Sequence, residues 1–445
     1  MNNFKKIKNR KEIVLLFLVF LATGFNTQAQ TLTLDQCIDS ALLHNRNIRI
    51  SRQDINLAGE KNKEVKGNLL PKLSAMADYR YYTDLPYQLM PAAAFGGPAG
   101  TYKEVQFGVP QSLNANVQLN VPLYNPMALS AIKTARIAGE LSEIQNIKTE
   151  EDAIIDVSNA YYNAQILLNQ LSFLDSNIIN TRKLVQTTEL LHQQQLAKGT
   201  DVDRLQLQLQ QLTTQRSTVS SQHQQVLNAL KFLMGKSITD SIEVQLDEKI
   251  IVVADFKSHI TTDILLIDKK TEFASSELNG LKSLRLPSLS AYGVYGTTGF
   301  GTTGTNSFFN FHPIGYVGTQ LSVPLFNGTI TLHKIAQKKI EIVKTNIQKE
   351  MVNEKTLLDQ VNAEMQYTLA QNTIETVNSQ VELAAKIYKN TIVQNQQGMA
   401  NITDLLLADN ALREAQQNYI VALINLRKAE LEYKRTTGNL ITSNK

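Results

Sequence analysis

The stretch QLNVPLYNP, residues 118–126, returns as QLSVPLFNG at residues 320–328. Each copy ends a segment of alternating apolar and polar residues, and each is followed by a long polar segment with almost no glycine. Alternation with a period of two is typical of a β-strand with one dry and one wet face, whereas a long segment without proline favours helix. The doubled motif therefore predicts two internal repeats, each with a strand that leads into a long helix.

The prolines divide the chain into strand regions and helix regions. All ten lie in two windows, 71–126 and 287–324. Because proline inside a helix costs about 3 kcal/mol, long helices are expected outside these windows. We predict two helical hairpins, 126–235 and 328–437, with their turns at Gly199-Thr200 and at Gly398 to Asn401. The first arm of each hairpin has about 70 residues and a length of roughly 105 Å. Helices at 34–69 and 262–285 would extend the shorter arms.

Four segments inside the proline windows are predicted strands, at 72–82, 112–124, 288–296 and 315–326. Each has about ten residues, which is the length that a tilted strand needs to span a bilayer. Soluble β-hairpins with one buried face are the alternative. Strand connections that alternate between polar loops containing glycine and proline, at 83–111 and 297–313, and long helices favour the membrane, together with a secretory leader. Since about eight strands are needed to close a barrel, several copies of the chain must contribute.

The first 29 residues differ from the rest of the sequence. Basic residues at 5–11 precede an apolar run at 13–25, which is about half the length of a membrane-spanning helix. We predict a signal peptide that is cleaved before Gln30. This leader has a net charge of +4, equal to that of the whole chain, so the remainder is near neutral and indicates no nucleic-acid partner. The sequence has no second 18-residue apolar run, so we expect a mature chain to enter a membrane only as a β-barrel.

No group of residues predicts catalysis. The six histidines lack metal-ligand spacing, and the single cysteine, Cys37, cannot form an internal disulfide. The glycine-rich segment 296–306 lacks the lysine of a phosphate-binding loop. We therefore expect no enzyme activity, no cofactor and no metal.

Several motifs together resemble the TolC family of outer-membrane efflux and secretion channels. The resemblance covers essentially all of the chain after the leader. It implies a mainly α fold with membrane β, in which a trimeric 12-stranded β-barrel, with four strands per chain, is continuous with a long periplasmic α-helical barrel. The domains would be a first repeat at 30–236, an equatorial segment at 237–261 and a second repeat at 262–445. The motifs are LTLDQCIDSALLHNRNI (32–48), the Leu-Pro strand starts at 70–71 and 286–287, VPLYN and VPLFN, and the turns KGTDVDRL (198–205) and GMANITDLLLADNAL (398–412).

The resemblance also implies a function and partners. The protein would be the exit duct of a tripartite efflux system or a type I secretion system, and would conduct substrates passively across the outer membrane. Its partners would be two further copies of itself, a periplasmic adaptor, an inner-membrane transporter of the RND or ABC type, and outer-membrane lipid. The alternative is a secreted or surface coiled-coil protein such as an adhesin. The broken apolar spacing of these Gln- and Asn-rich helices disfavours that alternative.

The two turns hold the candidate functional residues. The resemblance implies that these turns lie at the periplasmic tip, where acidic residues after each turn narrow the entrance of the channel. This points to Asp404 in the second turn and to Asp203 or Asp201 in the first, with Arg204 as a nearby base. The spacing also predicts two helix-capping boxes, Thr200 with Asp203 and Asn401 with Asp404. Three chains would bring at least six carboxylates to one ring, which would keep the resting channel narrow and cation-selective.

Overall fold

The structure is a computed structural model that describes residues 30–245, 259–302 and 310–440. The predicted signal peptide and residues 246–258 of the predicted equatorial segment lie outside these ranges. The chain divides into two compact units, and each is described by itself below. The first comprises Met1–Arg52, Asn146–Asp263 and Asn353–Lys445, and the second comprises Gln53–Gln145 and Ile264–Val352.

Two long helical hairpins dominate the chain, as the proline distribution predicts. In the first, α3 (Pro126–Gln193, 68 residues) is followed by α4 (Gly199–Leu233, 35 residues). In the second, α6 (Ile330–Gln396, 67 residues) is followed by α7 (Ile402–Thr436, 35 residues). Pro126 of the first motif begins α3, where its missing N–H costs nothing, and Asn125 Oδ1 accepts a hydrogen bond of 3.1 Å from Ala128 N. The described helices include none apolar enough to cross a bilayer.

The helix predicted at 34–69 is in fact two helices, α1 (Leu34–His44) and α2 (Arg46–Gly67). Asn45 separates them. Its Oδ1 accepts hydrogen bonds from the first backbone N–H groups of α2, with Asn47 N at 2.8 Å, while its Nδ2 donates to Leu233 O at 2.8 Å at the end of α4. One amide therefore caps two helix ends. The neighbouring Gly235 has φ +70°, and a Cβ there would lie 2.3 Å from His44 O, so only glycine fits. The second such helix, α5, spans Thr262–Ser283.

One hydrophobic core of the first unit is formed by α1, α3, α4 and two short parallel strands, β1 (Gln30–Leu32) and β6 (Ile242–Val244). Tyr161 is fully buried there and donates hydrogen bonds to Leu32 O at 3.1 Å and Gln245 O at 3.2 Å. Cys37 lies in the same core on α1, and burial raises the pKa of its thiol to about 12. Its thiol is therefore unreactive at neutral pH.

The second unit contains a four-stranded antiparallel sheet in the order β2, β5, β7, β8. Its strands are β2 (Lys72–Tyr81), β5 (Gln111–Tyr124), β7 (Ser288–Gly301) and β8 (Asn310–Ser322). β7 extends beyond the predicted 288–296, and β8 lies earlier than the predicted 315–326. The two quoted motifs also differ. β5 continues through Pro122 with a register shift there, whereas β8 ends two residues before Pro324. Proline cannot donate to the sheet, and the first copy accommodates it with a bulge.

The connection between β2 and β5 is expected from the sequence to be a loop, but it contains a second hairpin. This hairpin consists of β3 (Tyr87–Pro91) and β4 (Tyr102–Gln106), which pair in antiparallel fashion. Each strand has five residues and is flanked by glycine and proline, so the alternation is too short to distinguish it from a loop in the sequence.

Candidate functional site

The first helical turn is built around a residue that the sequence did not indicate. α3 ends in a Schellman motif, in which Leu196 N donates to Leu191 O at 2.8 Å and Gln195 N to His192 O at 2.9 Å. Gln195 has φ +60° and occupies the left-handed position. Gly199, predicted to form this turn, is instead the first residue of α4, so that prediction was wrong.

The second turn has the same geometry with the expected residue. Met399 N donates to Gln394 O at 2.8 Å, and Gly398 N donates to Asn395 O at 3.0 Å. Gly398 has φ +72°. Gln195 is therefore the structural counterpart of Gly398, and the two tips are related by this pair rather than by the two glycines.

The N-termini of α4 and α7, the return helices of the two hairpins, show which acidic residue of the first turn is equivalent to which residue of the second. Asn401 is the N-cap of α7 and forms a complete capping box with Asp404, with bonds of 2.8 and 3.1 Å. The capping box predicted for Thr200 and Asp203 is wrong. α4 begins after Lys198, whose side chain makes no capping bond among the described residues, so the third helical position is Asp201 and not Asp203. Asp201 and Asp404 are therefore equivalent.

The candidate carboxylates differ in their surroundings. Asp404 and Asp203 are exposed to solvent, and the side chain of Asp201 is only 20% exposed. Arg204 Nη1 lies 3.9 Å from Asp201 Oδ1 as a neighbouring ion pair, while its own side chain is 57% exposed. Both Asp201 and Asp404 lie in the first turn of a helix, where the helix dipole favours a negative charge. The exposed Thr200 lies between Gly199 and Asp201.

A buried polar cluster further along α7 was not predicted. Asp409 is 4% exposed and accepts short hydrogen bonds from Gln208 of α4 and from Arg413 of α7. Burial raises the pKa of Asp409, an effect that Arg413 and Gln208 oppose. Tyr388 of α6 packs beside it, with a buried hydroxyl that has no hydrogen-bond partner among the described residues. Burial, and then the charge of Asp409, raise the pKa of Tyr388 to about 12.

This cluster has a weak signal in the sequence. Asp409 and Arg413 are four residues apart within LLLADNALREA, a spacing that places opposite charges together on one helix face. The partner Gln208 is 201 residues away along the chain, so only the folded structure identifies it. The cluster connects the return helices of the two hairpins through buried groups.

The sheet of the second unit has one apolar and one polar face. The strand register places Ala75 opposite Val117, Val117 opposite Tyr295, and Tyr295 opposite Gly315, all on the apolar face. Tyr295 covers Gly315, since a Cβ at this glycine would lie 2.9 Å from the tyrosine ring. The polar face presents the intervening residues of each strand. A sheet with one apolar and one polar face can separate lipid from water.

In the described ranges, no group of three or more His, Cys, Asp or Glu side chains could hold a metal ion. The candidate functional features of the described residues are therefore the two hairpin tips with Asp201 and Asp404, the buried cluster around Asp409, and the sheet with one apolar and one polar face.

Two long helical hairpins joined to a two-faced antiparallel sheet define the class of outer-membrane channel proteins. The model of the family described as outer membrane efflux protein matches residues 37–236 and 272–439, and the chain belongs to this family. The outer membrane protein TolC of Salmonella enteritidis is 20% identical over 454 residues, which cover 97% of this chain and 87% of TolC.

Solved structures show the same fold. The outer membrane protein VceC from Vibrio cholerae superposes with a TM-score of 0.73 at 15% identity, covering 91% of this chain and 96% of VceC. The open state of the MtrE outer membrane channel of Neisseria gonorrhoeae gives a TM-score of 0.72 at 15% identity, covering 92% and 89%. The predicted family and the outer-membrane location are confirmed. The alternative of a secreted coiled-coil protein finds no support.

Proposed function

We propose that three copies of this chain form one exit duct through the outer membrane, with a twelve-stranded barrel continuous with a periplasmic helical barrel. The observation that carries this proposal is the sheet order. Among the described residues, β2 and β8 each pair with a single strand and form the two edges of the sheet. An edge strand in lipid would leave its backbone groups without partners, so these edges must be paired by another chain.

The direction of the edges fits a closed ring. Because every neighbouring pair in the sheet is antiparallel, β2 and β8 run in opposite directions. β8 of one copy can therefore pair in antiparallel fashion with β2 of the next copy. Such a head-to-tail contact forms a ring when the rotation closes, and three copies supply more than the roughly eight strands that a barrel needs. The apolar face, continuous across all four strands, would then contact lipid.

We further propose that the duct is passive and works in a tripartite efflux system or a type I secretion system. A periplasmic adaptor would connect it to an inner-membrane transporter of the RND or ABC type that supplies the energy. Family membership supports this role. The chain would consist of two repeats, 30–236 and 262–445, separated by the equatorial segment 237–261. The same order of helix, strand pair and helical hairpin in both halves supports this division.

The oligomeric state tests the proposal directly. The protein is expressed with its leader, extracted from outer membranes with detergent, and its protein mass is measured by light scattering with correction for detergent. We expect three chains per particle and stepwise conductance in planar lipid bilayers. A folded single chain that stays in solution without detergent would contradict the proposal.

A further inference from the structure

We infer that the polar face of β5, β7 and β8 is a neutral track that binds uncharged amphipathic solutes carrying an aromatic ring. This inference rests on the proposed function, because a barrel whose apolar face contacts lipid turns its polar face to the lumen. It adds a substrate class to the duct, and it follows from which side chains the strand register brings together on that face.

The first component of the track is a column of amides on β5. From Ser112 to Asn120, every second residue of this strand faces the polar side, and each of these carries an uncharged side chain that can both donate and accept hydrogen bonds. From Asn114 to Asn120 the column extends about 20 Å along the strand. Thr298 of β7 lies beside it, with its hydroxyl 2.9 Å from Asn114 Oδ1. The column consists of Ser112, Asn114, Asn116, Gln118 and Asn120.

The second component is a set of rings on β7 and β8. Tyr292 and Tyr316 face each other edge to face with their ring centroids 6.2 Å apart, and the rings of Phe300 and His312 lie 6.4 Å apart. Tyr316 is 52% exposed and Phe300 is 44% exposed, so both rings are available to a solute. The register places Gln118, Val294 and Tyr316 in one row across the sheet. An amide and a phenol therefore flank the same apolar position.

Charge is the third component. β5, β7 and β8 contain no Asp, Glu, Lys or Arg at any position. The charged residues of the polar face all lie on β2, where Arg80 pairs with Asp78 at 2.7 Å and Lys72 donates to Asn68 at 3.2 Å. A charged solute that lost part of its hydration here would find little opposite charge on β5, β7 or β8 to replace it. An uncharged solute can exchange water for amide hydrogen bonds and place its ring against the tyrosines.

The test is single-channel recording of the purified protein in a planar bilayer, with phenyl β-glucoside added on the external side. Phenyl β-glucuronide, which has nearly the same size and one negative charge, is the comparison. We expect the glucoside to interrupt the current and the glucuronide to do so much more weakly. In Tyr316→Leu the residence time of the glucoside should fall by about fivefold. The matched control is Tyr295→Leu, the same change on the apolar face, which should leave the residence time unchanged.

Three results would overturn the inference while leaving the duct intact: no current block by the glucoside, equal block by the glucuronide, or an equal loss in Tyr295→Leu. A protein that produces no conductance steps at all would overturn the proposed function and this inference together. If Tyr316→Leu does not assemble, Gln118→Leu takes its place. Removal of its amide should also shorten the residence time, and an unchanged value would count against the track.

Discussion

Gln195 is the residue on which the first hairpin tip depends, because it holds a left-handed backbone angle of φ +60° without being glycine. This conformation costs a non-glycine residue roughly 1–2 kcal/mol. Glycine avoids that strain but loses more conformational entropy on folding, so a substitution by glycine recovers only part of this free energy. We predict that Gln195→Gly raises the local stability of the tip by about 0.5–1 kcal/mol. Hydrogen exchange of the tip amides measures this.

The second tip supplies the reverse control for that change. Gly398 has φ +72°, and a Cβ added at this residue would meet open space, so Gly398→Gln adds backbone strain without a steric clash. It should accelerate amide exchange at the second tip by a similar free energy. Equal exchange rates in both variants and the parent protein would show that Gln195 is not strained.

Asp409 makes stability depend on pH in an unusual direction for an aspartate. Burial raises its folded-state pKa above the ordinary value of 3.8, so folding favours the neutral carboxyl. Its contribution to the free energy of unfolding is therefore fully present below 3.8 and is lost as the pH rises through the raised pKa. The groups that face it are Gln208, Arg413 and Tyr388.

The other carboxylates contribute equally to the pH dependence of stability in the parent protein and in an Asp409 variant, so their contributions cancel in the difference between the two. Asp409→Asn keeps the size of the side chain and cannot titrate. We expect the thermal midpoint of the parent minus that of the variant to increase as the pH is lowered from 7 towards 4. A difference that is constant or decreases over this range would contradict the assignment.

The candidate site could be predicted from the sequence only in part. The capping box of Asn401 and Asp404 is evident in the sequence because the two residue types lie three apart and shortly after Gly398. The first tip was misjudged since glycine propensity points to Gly199, while the backbone places Gln195 in the left-handed position. The partners of Asp409 come from three different helices, and no local pattern identifies such a cluster.

Asn45 connects two helix ends through one side chain, and this gives a prediction for the elements that it connects. Its amide caps the start of α2 and the end of α4, and it is 6% exposed. Asn45→Ala would leave groups at both helix ends without their partner, at a cost of about 2 kcal/mol in the free energy of unfolding. The control is Asn47→Ala, two residues further along, whose exposed side chain should cost little. Thermal unfolding in detergent compares the two variants, and equal midpoints would refute the double cap.

Asn45 also shows why the sequence predicts some elements of the fold better than others. Period-two alternation identified the strands and the absence of proline identified the long helices, because both signals extend over many residues. The break at Asn45 carries no glycine or proline and depends on a contact with Leu233, 188 residues away. Strand ends were also misplaced in the second copy, where β8 ends before Pro324 although the motif repeats.

In the assembly that we propose, a ring of three copies would convert single carboxylates into a charged entrance. Asp201 and Asp404 occupy the same helical position, so each copy would contribute both, and we propose that they set the selectivity of the resting channel. Arg204 balances part of the charge of Asp201. Asp404 is exposed and accepts its capping bond from Asn401 N, so its charge acts more directly on ions.

Asp404→Asn separates charge from capping, because the amide oxygen can still accept the hydrogen bond from Asn401 N. The variant removes half of the equivalent carboxylates from the entrance while keeping the start of α7, so we expect weaker cation selectivity, measured as a smaller reversal potential in a salt gradient. Asp404→Ala should show the same loss together with a free-energy cost of about 1 kcal/mol for the cap.

The control is Asp203→Asn, which removes an exposed carboxylate two positions after Asp201, the residue equivalent to Asp404. If Asp203→Asn changes the reversal potential as much as Asp404→Asn does, ion selectivity reflects the total charge of the tips, and position in the helix has no part in it.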